Sequence, residues 1–170
     1  SIKVKMENLP NTRIVKQILT RGGQDVTDIL CNHPDIVALL KYTQYQNIHG
    51  ELVVPKKLFY TKWSTEILGE DDGYANPRNA VVGIMKKEPL DLRFIACTDG
   101  TNPINVGFNV WTKVEANMDW LGFFEKYKNG DWFPFQIDGI VIGYETDKRI
   151  IKDNYPLNMV SVKFPAPKAK

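Results

Sequence analysis

The sequence is poor in cysteine, nearly balanced in charge and free of long apolar runs, and each scarcity excludes something. Cys31 and Cys97 are its only cysteines, far apart and outside any CxxC or Cys/His spacing. Two such residues suit a pair of buried free thiols in a reducing compartment better than a disulfide framework. With only His33 and His49 beside them, they also fall short of a built structural zinc site, which needs about four well-spaced ligands. Twenty-two basic residues against 20 acidic leave a formal charge of +2, so no bulk positive field marks a nucleic-acid binder, and only a local patch could act as one. The longest apolar runs, residues 36–40 and 80–85, are core-sized and far short of the roughly 20 residues of a membrane span. Residues 1–5 alternate apolar and basic instead of forming a signal-peptide apolar stretch, which points to a soluble, cytoplasmic protein. Neither GxGxxG nor GxxxxGKS/T occurs, and Ser64 and Ser161 lie outside any nucleophile elbow.

What is present suits one packed domain: 170 residues, 43% of them hydrophobic and 11% aromatic. Ile2, Val4 and Met6 alternate with Lys3 and Lys5, which predicts a strand, and a turn at 9–11 returns a second strand over 13–20. Residues 25–40 read as helical, with Ile29, Val37 and Leu40 on the apolar face and Pro34 as a break or new first turn. Residues 51–54 read as a strand ended by Pro55. A helix is expected over 58–68 from Phe59, Trp63 and Ile67, then a charged loop at 70–73. Further strands fall at 92–97, 136–144 and 159–164, and a helix at 118–127 carries Trp120, Phe123 and Phe124 toward the core. The fold class is α+β, a single unit of short strands and interspersed helices.

Four segments in order carry a resemblance. Thr20-Arg21-Gly22-Gly23-Gln24-Asp25-Val26-Thr27 is similar to TRGDGxxGEDVT, three residues shorter. His49-Gly50-Glu51-Leu52-Val53-Val54-Pro55 is similar to RGEVxxP. Tyr74-Ala75-Asn76-Pro77-Arg78-Asn79-Ala80 is close to FANPRNA. Ile137-Asp138-Gly139-Ile140-Val141-Ile142, followed by Lys163-Phe164-Pro165-Ala166, is similar to EIDGVVIK followed by KFPA. These strings occur in the adenylation (nucleotidyltransferase) domain of NAD-dependent DNA ligases, which the chain resembles from residue 20 to residue 166. The resemblance implies an ATP-grasp-like nucleotidyltransferase fold of mostly antiparallel sheets with flanking helices. Residues 1–166 would form a partial adenylation domain, incomplete without the family's KxDG segment, and 167–170 a polar tail.

Such ligases move AMP from NAD to a lysine, then to a DNA 5′-phosphate, and then seal the nick. The resemblance implies cationic, phosphate-facing roles for Arg21, Arg78 and Lys163, and a ribose contact for Glu51. It makes Asp138 a hard-oxygen contact for Mg2+ and Lys86 a nucleotide contact in place of a second arginine. On residue type alone, Arg78 is a solvated turn cation, Asp138 a turn residue before Gly139, Glu51 a surface carboxylate and Lys163 a strand-edge lysine. The family order reassigns them.

The departures are equally specific. No KxDG occurs in the 170 residues, so the lysine nucleophile is missing and the chain alone is not expected to be a ligase. Cys97 stands where an adenine-stacking aromatic is expected, Gly143 where a lysine is, and Leu157 where an arginine is. No arginine matches the one expected before the IDG strand. The OB-fold, zinc-finger, helix-hairpin-helix, BRCT and nicotinamide-recognising modules have no counterpart either. The expectation is one subunit of a split ligase, of a kind carried by some bacteriophages and acting in the host cytoplasm, with a partner chain supplying KxDG and nicked duplex DNA as substrate. NAD, through its AMP moiety, and Mg2+ would bind only in that complex. The alternative is a degenerate, non-catalytic binding or regulatory module. Lys56, Lys57, Lys62, Lys86 and Lys87 are candidates for a patch that tracks DNA phosphates, or are scattered solvated lysines.

Overall fold

The computed structural model describes residues 1–100, 119–127, 133–143, 151–152, 155–156 and 159–164. Strands β1 (Ile2–Leu9) and β2 (Thr12–Thr20) form a hairpin across Pro10 and Asn11. After two short helices, α1 (Thr27–Leu30) and α2 (Pro34–Tyr42), β3 (Asn47–Val53) pairs antiparallel with β1. A run of helical turns follows: α3 (Lys56–Leu58), a π-helical turn (Phe59–Trp63), α4 (Thr65–Leu68) and α5 (Pro77–Lys87). A 3-10 turn (Pro89–Asp91) then leads into β4 (Arg93–Thr98), which pairs with β3 and gives the order β2-β1-β3-β4. Beyond it lie α6 (Trp120–Tyr127), β5 (Gly139–Gly143), the short pair β6 (Ile151–Lys152) and β7 (Tyr155–Pro156), and β8 (Met159–Lys163), which pairs antiparallel with β5.

The four-stranded sheet has two unlike faces because side chains alternate along each strand. Ile2, Val4 and Met6 of β1, Ile18 of β2, Ile48 and Leu52 of β3, and Phe94 and Ala96 of β4 are all buried in the main core. Helices close that face with Leu30, Ile36, Leu39, Phe59, Ala80, Ile84 and Met85. The opposite face carries Lys3, His49 and Glu51, with Ile95 and Cys97 at one end beneath a smaller cluster of Phe133 and Phe135.

Local chemistry sets the helix ends. His33 caps α2: its Nδ1 accepts from the Asp35 N–H at 3.1 Å, so its Nε2–H donates to the Leu92 carbonyl at 2.8 Å. Pro34 occupies the first turn, where its missing N–H costs nothing. The Asp35 carboxylate then accepts from Arg93 Nε at 2.9 Å and from the Phe94 N–H at 3.0 Å, bolting α2 to β4. Arg13 reaches back from β2 to the carbonyls of Thr43 and Tyr45, closing the other end of α2.

Four expectations change. In the 25–40 segment the inward face is Leu30, Ile36 and Leu39, whereas Ile29 and Val37 are exposed, because Pro34 restarts the helix and resets its phase. The expected helix over 58–68 is broken: the Ser64 N–H reaches back five residues to the Phe59 carbonyl at 3.0 Å, Ser64 turns extended, and Ile67 is exposed. Arg78 lies in the first turn of α5 instead of in an irregular turn. That helix is capped by Asn76, whose side chain accepts from the Asn79 N–H at 2.9 Å, and it ends with Lys86 and Lys87 in its last turn. Cys31 and Cys97 are free, as expected, but half-buried instead of fully buried. The side chains of Trp120, Phe123 and Phe124, and residues 118, 144, 157 and 165–170, lie outside the described residues. No helix among the described residues is long and apolar enough to cross a membrane.

Candidate functional site

The exposed face of the sheet is organised in cross-strand rows. The pairing sets Lys3 opposite both Leu19 and His49. One row along, the Arg21 N–H donates to the Ser1 carbonyl at 3.2 Å, and the Ser1 amine lies 3.1 Å from the Glu51 carboxylate. Glu51 pairs in turn with Ile95 of β4. The register therefore places Arg21, expected to face a phosphate, and Glu51, expected to contact the ribose, on either side of one strand. Gly50 sits between His49 and Glu51 for a steric reason: a Cβ there would stand 2.2 Å from the Ile95 carbonyl oxygen and 2.6 Å from the Phe94 ring.

A second cluster gathers Arg78, Asp138 and Lys163. The Asp138 carboxylate accepts from Lys163 at 3.2 Å and from Arg78 at 3.4 Å through the same oxygen, Oδ2. Antiparallel pairing of β5 and β8 puts Gly139 opposite Lys163, and the Phe164 N–H donates to the Asp138 carbonyl at 2.8 Å. Gly139 admits this closeness, since a Cβ there would lie 2.4 Å from the Val162 carbonyl oxygen. The hydrogen bond from Lys163, aided by the charges of Lys163 and Arg78, holds the Asp138 carboxyl below the usual carboxylate range against a smaller opposing effect of burial. Two cations around one carboxylate leave a net positive charge. All three side chains are more than half exposed, at 73%, 58% and 68% for Arg78, Asp138 and Lys163, so the cluster is open to an anionic ligand.

Gln136 joins the two regions. Its Oε1 accepts the Arg78 backbone N–H at 2.9 Å, while its neighbours Phe135 and Ile137 pack on the exposed face of the sheet against Ile95, Val53 and Cys97. The Pro134 carbonyl also takes the Lys56 N–H at 2.8 Å, just beyond the end of β3. Residues 133–138 thus tie the start of α5 to the face that carries Glu51. Gln136 carried no motif signal, because a lone glutamine next to an IDG string looks like any surface residue.

The remaining candidates divide. Lys86 is eight residues along α5 from Arg78, about 12 Å at 1.5 Å per residue, and is not part of the Asp138 cluster. Lys62 is bound to Glu88 and lies 2.8 Å from Asp91, and Lys87 sits over the Tyr74 ring at 5.7 Å, so these two lysines of the expected patch have local partners. Cys97 lies on the Glu51 side of the sheet; burial, and then the Glu51 charge, push its thiol up to about 11, which keeps it protonated and unreactive. It abuts the Phe133 and Phe135 cluster, aromatic rings that the family strings did not single out. Among the described residues no group of three His, Cys, Asp or Glu side chains could hold a metal by itself.

No family model matches the chain. It is 29% identical to a DNA ligase of Staphylococcus saprophyticus over 84% of its own length and 25% of that relative. It is 27% identical to a DNA ligase of Nitratiruptor over 90% of its length and 28% of the relative. It is 30% identical to a DNA ligase of Wolinella succinogenes over 57% of its length and 17% of the relative. The chain thus spans between 17% and 28% of the length of these curated relatives, and what it resembles is one segment of a DNA ligase.

Proposed function

We propose that this chain supplies the ribose-, phosphate- and metal-facing side chains of a nick-sealing, NAD-dependent DNA ligase whose lysine nucleophile is carried by a partner chain. The observation that carries the proposal is the convergence of Arg78, Asp138 and Lys163, three positions far apart in sequence, on one carboxylate oxygen. That arrangement suits phosphoryl transfer, in which protein groups act chiefly by positioning and by neutralising developing charge. Arg78 and Lys163 would hold the transferred phosphate, and Asp138 would keep both cations oriented. Glu51 would accept from a ribose hydroxyl on the exposed sheet face, and Arg21, one strand away, would face a phosphate.

A Mg2+ ion fits this donor set only as a partner of bound phosphates. One exposed carboxylate is no cage, but Mg2+ is commonly held by one or two carboxylates plus substrate oxygens. Asp138 is the residue that would hold it, and the ion would supply charge neutralisation at the phosphate. No KxDG lies within the 170 residues, so the AMP-accepting lysine has to come from outside them.

A second proposal, a non-catalytic module of the same ancestry, is favoured by Cys97, Gly143 and Leu157 at positions where the family strings carry an aromatic and two cations. Mass spectrometry of the chain purified from its native host separates the two. A stoichiometric partner bearing an AMP adduct on a lysine is the expected result. A lone, unmodified chain would overturn the split-ligase proposal and leave the binding module.

A further inference from the structure

The charged groups of the Asp138 cluster are exposed, and an exposed ion pair does little to hold two long side chains in one place. Arg78 is the most exposed of the three, and its guanidinium lies 3.4 Å from Asp138 Oδ2. Its backbone is held better than its side chain. Pro77 has no N–H, so Arg78 carries the first backbone donor of α5, one of the groups that a helix start leaves without an internal acceptor. The Asn76 side chain takes the Asn79 N–H instead. The Arg78 N–H donates to Gln136 Oε1 at 2.9 Å, so a residue 58 positions away caps this helix.

Gln136 stands on a fixed support. Burial alternates along residues 133–138: Phe133, Phe135 and Ile137 pack with Ile95 on the sheet, whereas Pro134, Gln136 and Asp138 are exposed. That alternation puts Gln136 and Asp138 on one side of the segment, two residues apart. One segment thus grips Arg78 twice, by its N–H through Gln136 and by its guanidinium through Asp138. The far end of the grip is also set, since the Asp138 carbonyl accepts the N–H of Phe164, the residue after Lys163, at 2.8 Å. Gln136 decides where the Arg78 side chain starts, and Asp138 where it ends.

We infer that Gln136 is a positioning residue for the anion site formed by Arg78 and Lys163. It acts through Arg78, holding the root of that side chain so that the guanidinium and the Lys163 ammonium flank one anion. The inference rests on the nick-sealing proposal for the identity of that anion, a phosphate. Removing the acceptor lets the first turn of α5 fray, and a fraying turn carries Arg78 away from Lys163. Anion affinity then falls, while the core contacts of α5 through Ala80 and Ile84 stay in place.

The test follows the backbone N–H and the Nε–H of Arg78 by NMR in the full chain, with pyrophosphate as the ligand. Gln136→Leu removes the acceptor at similar size, and Gln136→Glu keeps it. The expected result is about tenfold faster hydrogen exchange of the Arg78 N–H in Gln136→Leu, reversed in Gln136→Glu. Pyrophosphate, read from the Arg78 Nε–H signal, should bind Gln136→Leu about tenfold more weakly, the scale of one lost hydrogen bond, with the urea midpoint nearly unchanged. A cap with a structural role alone would speed exchange and leave the affinity as it was, and that result overturns the positioning role. So does unchanged exchange in Gln136→Leu, or an Arg78 Nε–H signal that pyrophosphate does not move in the unaltered chain. If Gln136→Leu fails to fold, the unaltered chain still decides. An Arg78 N–H that exchanges as fast as an open amide overturns the inference, and protection that rises with pyrophosphate supports it. Nick sealing by the assembled complex judges the other proposal: sealing with unchanged affinity in Gln136→Leu removes the positioning role alone. An affinity loss in Gln136→Leu, with no sealing by the unaltered complex, removes the ligase proposal and keeps the positioning role.

Discussion

The two faces of the four-stranded sheet are made from alternate residues of the same strands, yet they are built on opposite terms. Along β3, Ile48, Gly50 and Leu52 point into an apolar core, while His49 and Glu51 stand on a face that bears charge and a cavity. On the helix side every position is set by volume: Phe94 fills the space that Gly50 leaves, and the Tyr74 hydroxyl fills the space over Gly83, where a Cβ would lie 1.8 Å away. On the other side the Lys3, His49 and Glu51 positions carry polar and charged groups, and apolar packing is confined to the Phe133 and Phe135 cluster over Ile95, Val53 and Cys97. The difference teaches that stability and chemistry are separable here by a shift of one residue along a strand.

The largest expected effect tests that separation from the chemical side. In the assembled complex, Asp138→Asn and Arg78→Ala should each lower nick sealing by about a thousandfold, the scale seen when one charge-stabilising group is lost. Because these side chains are exposed, the urea midpoint of the chain should move little. Unchanged sealing would show that the roles do not lie at these positions.

The next effect tests it from the packing side. Gly50→Ala should destabilise the chain by about 3 kcal/mol, because the clash at 2.2 Å is with backbone and cannot be relieved by a rotamer. Its neighbour Glu51→Gln should change stability by less than about 0.5 kcal/mol. Equal effects in urea unfolding would erase the contrast between the faces.

Asp35→Ala should cost about 2 kcal/mol, since the Phe94 N–H and the Arg93 guanidinium both lose their acceptor at the seam between α2 and β4. The smallest effect is in pH. At Asp91, burial pushes the carboxyl up, but hydrogen bonds from Lys62 and from Trp63 Nε1 at 2.9 Å outweigh it, and the net shift is downward. A lowered carboxyl stabilises the folded chain above the ordinary aspartate range near about pH 4, and that contribution is lost as pH falls through the folded-state value. Asp138 shifts the same way but is exposed, so Asp91 should dominate. Asp91→Asn should flatten the acid limb of the stability curve by about 1 kcal/mol or less.

How much of this was legible varies with the range of the interaction involved. The β1–β2 hairpin was readable from alternation and a Pro-Asn turn, and β4 from an apolar run, because strand period and turn chemistry are local. The helix faces at 25–40 and 58–68 were misassigned where a single residue resets the backbone, Pro34 in one case and Ser64 in the other. α5 was hidden behind its polar start: the Asn-Pro-Arg-Asn string reads as a turn until Asn76 is seen to cap a helix.

The sequence by itself determined which faces of which strands are apolar, that no KxDG is present among these residues, and which charged positions follow the order of ligase strings. Those properties depend on residue type and short spacing alone. Only the tertiary structure decided that Arg78, Asp138 and Lys163 share one oxygen, that Lys86 stands apart, and that Lys3 and His49 join Arg21 around one cavity. Such groupings come from cross-strand register and from Gln136 reaching the first turn of α5, contacts between residues far apart in the chain that no local pattern encodes.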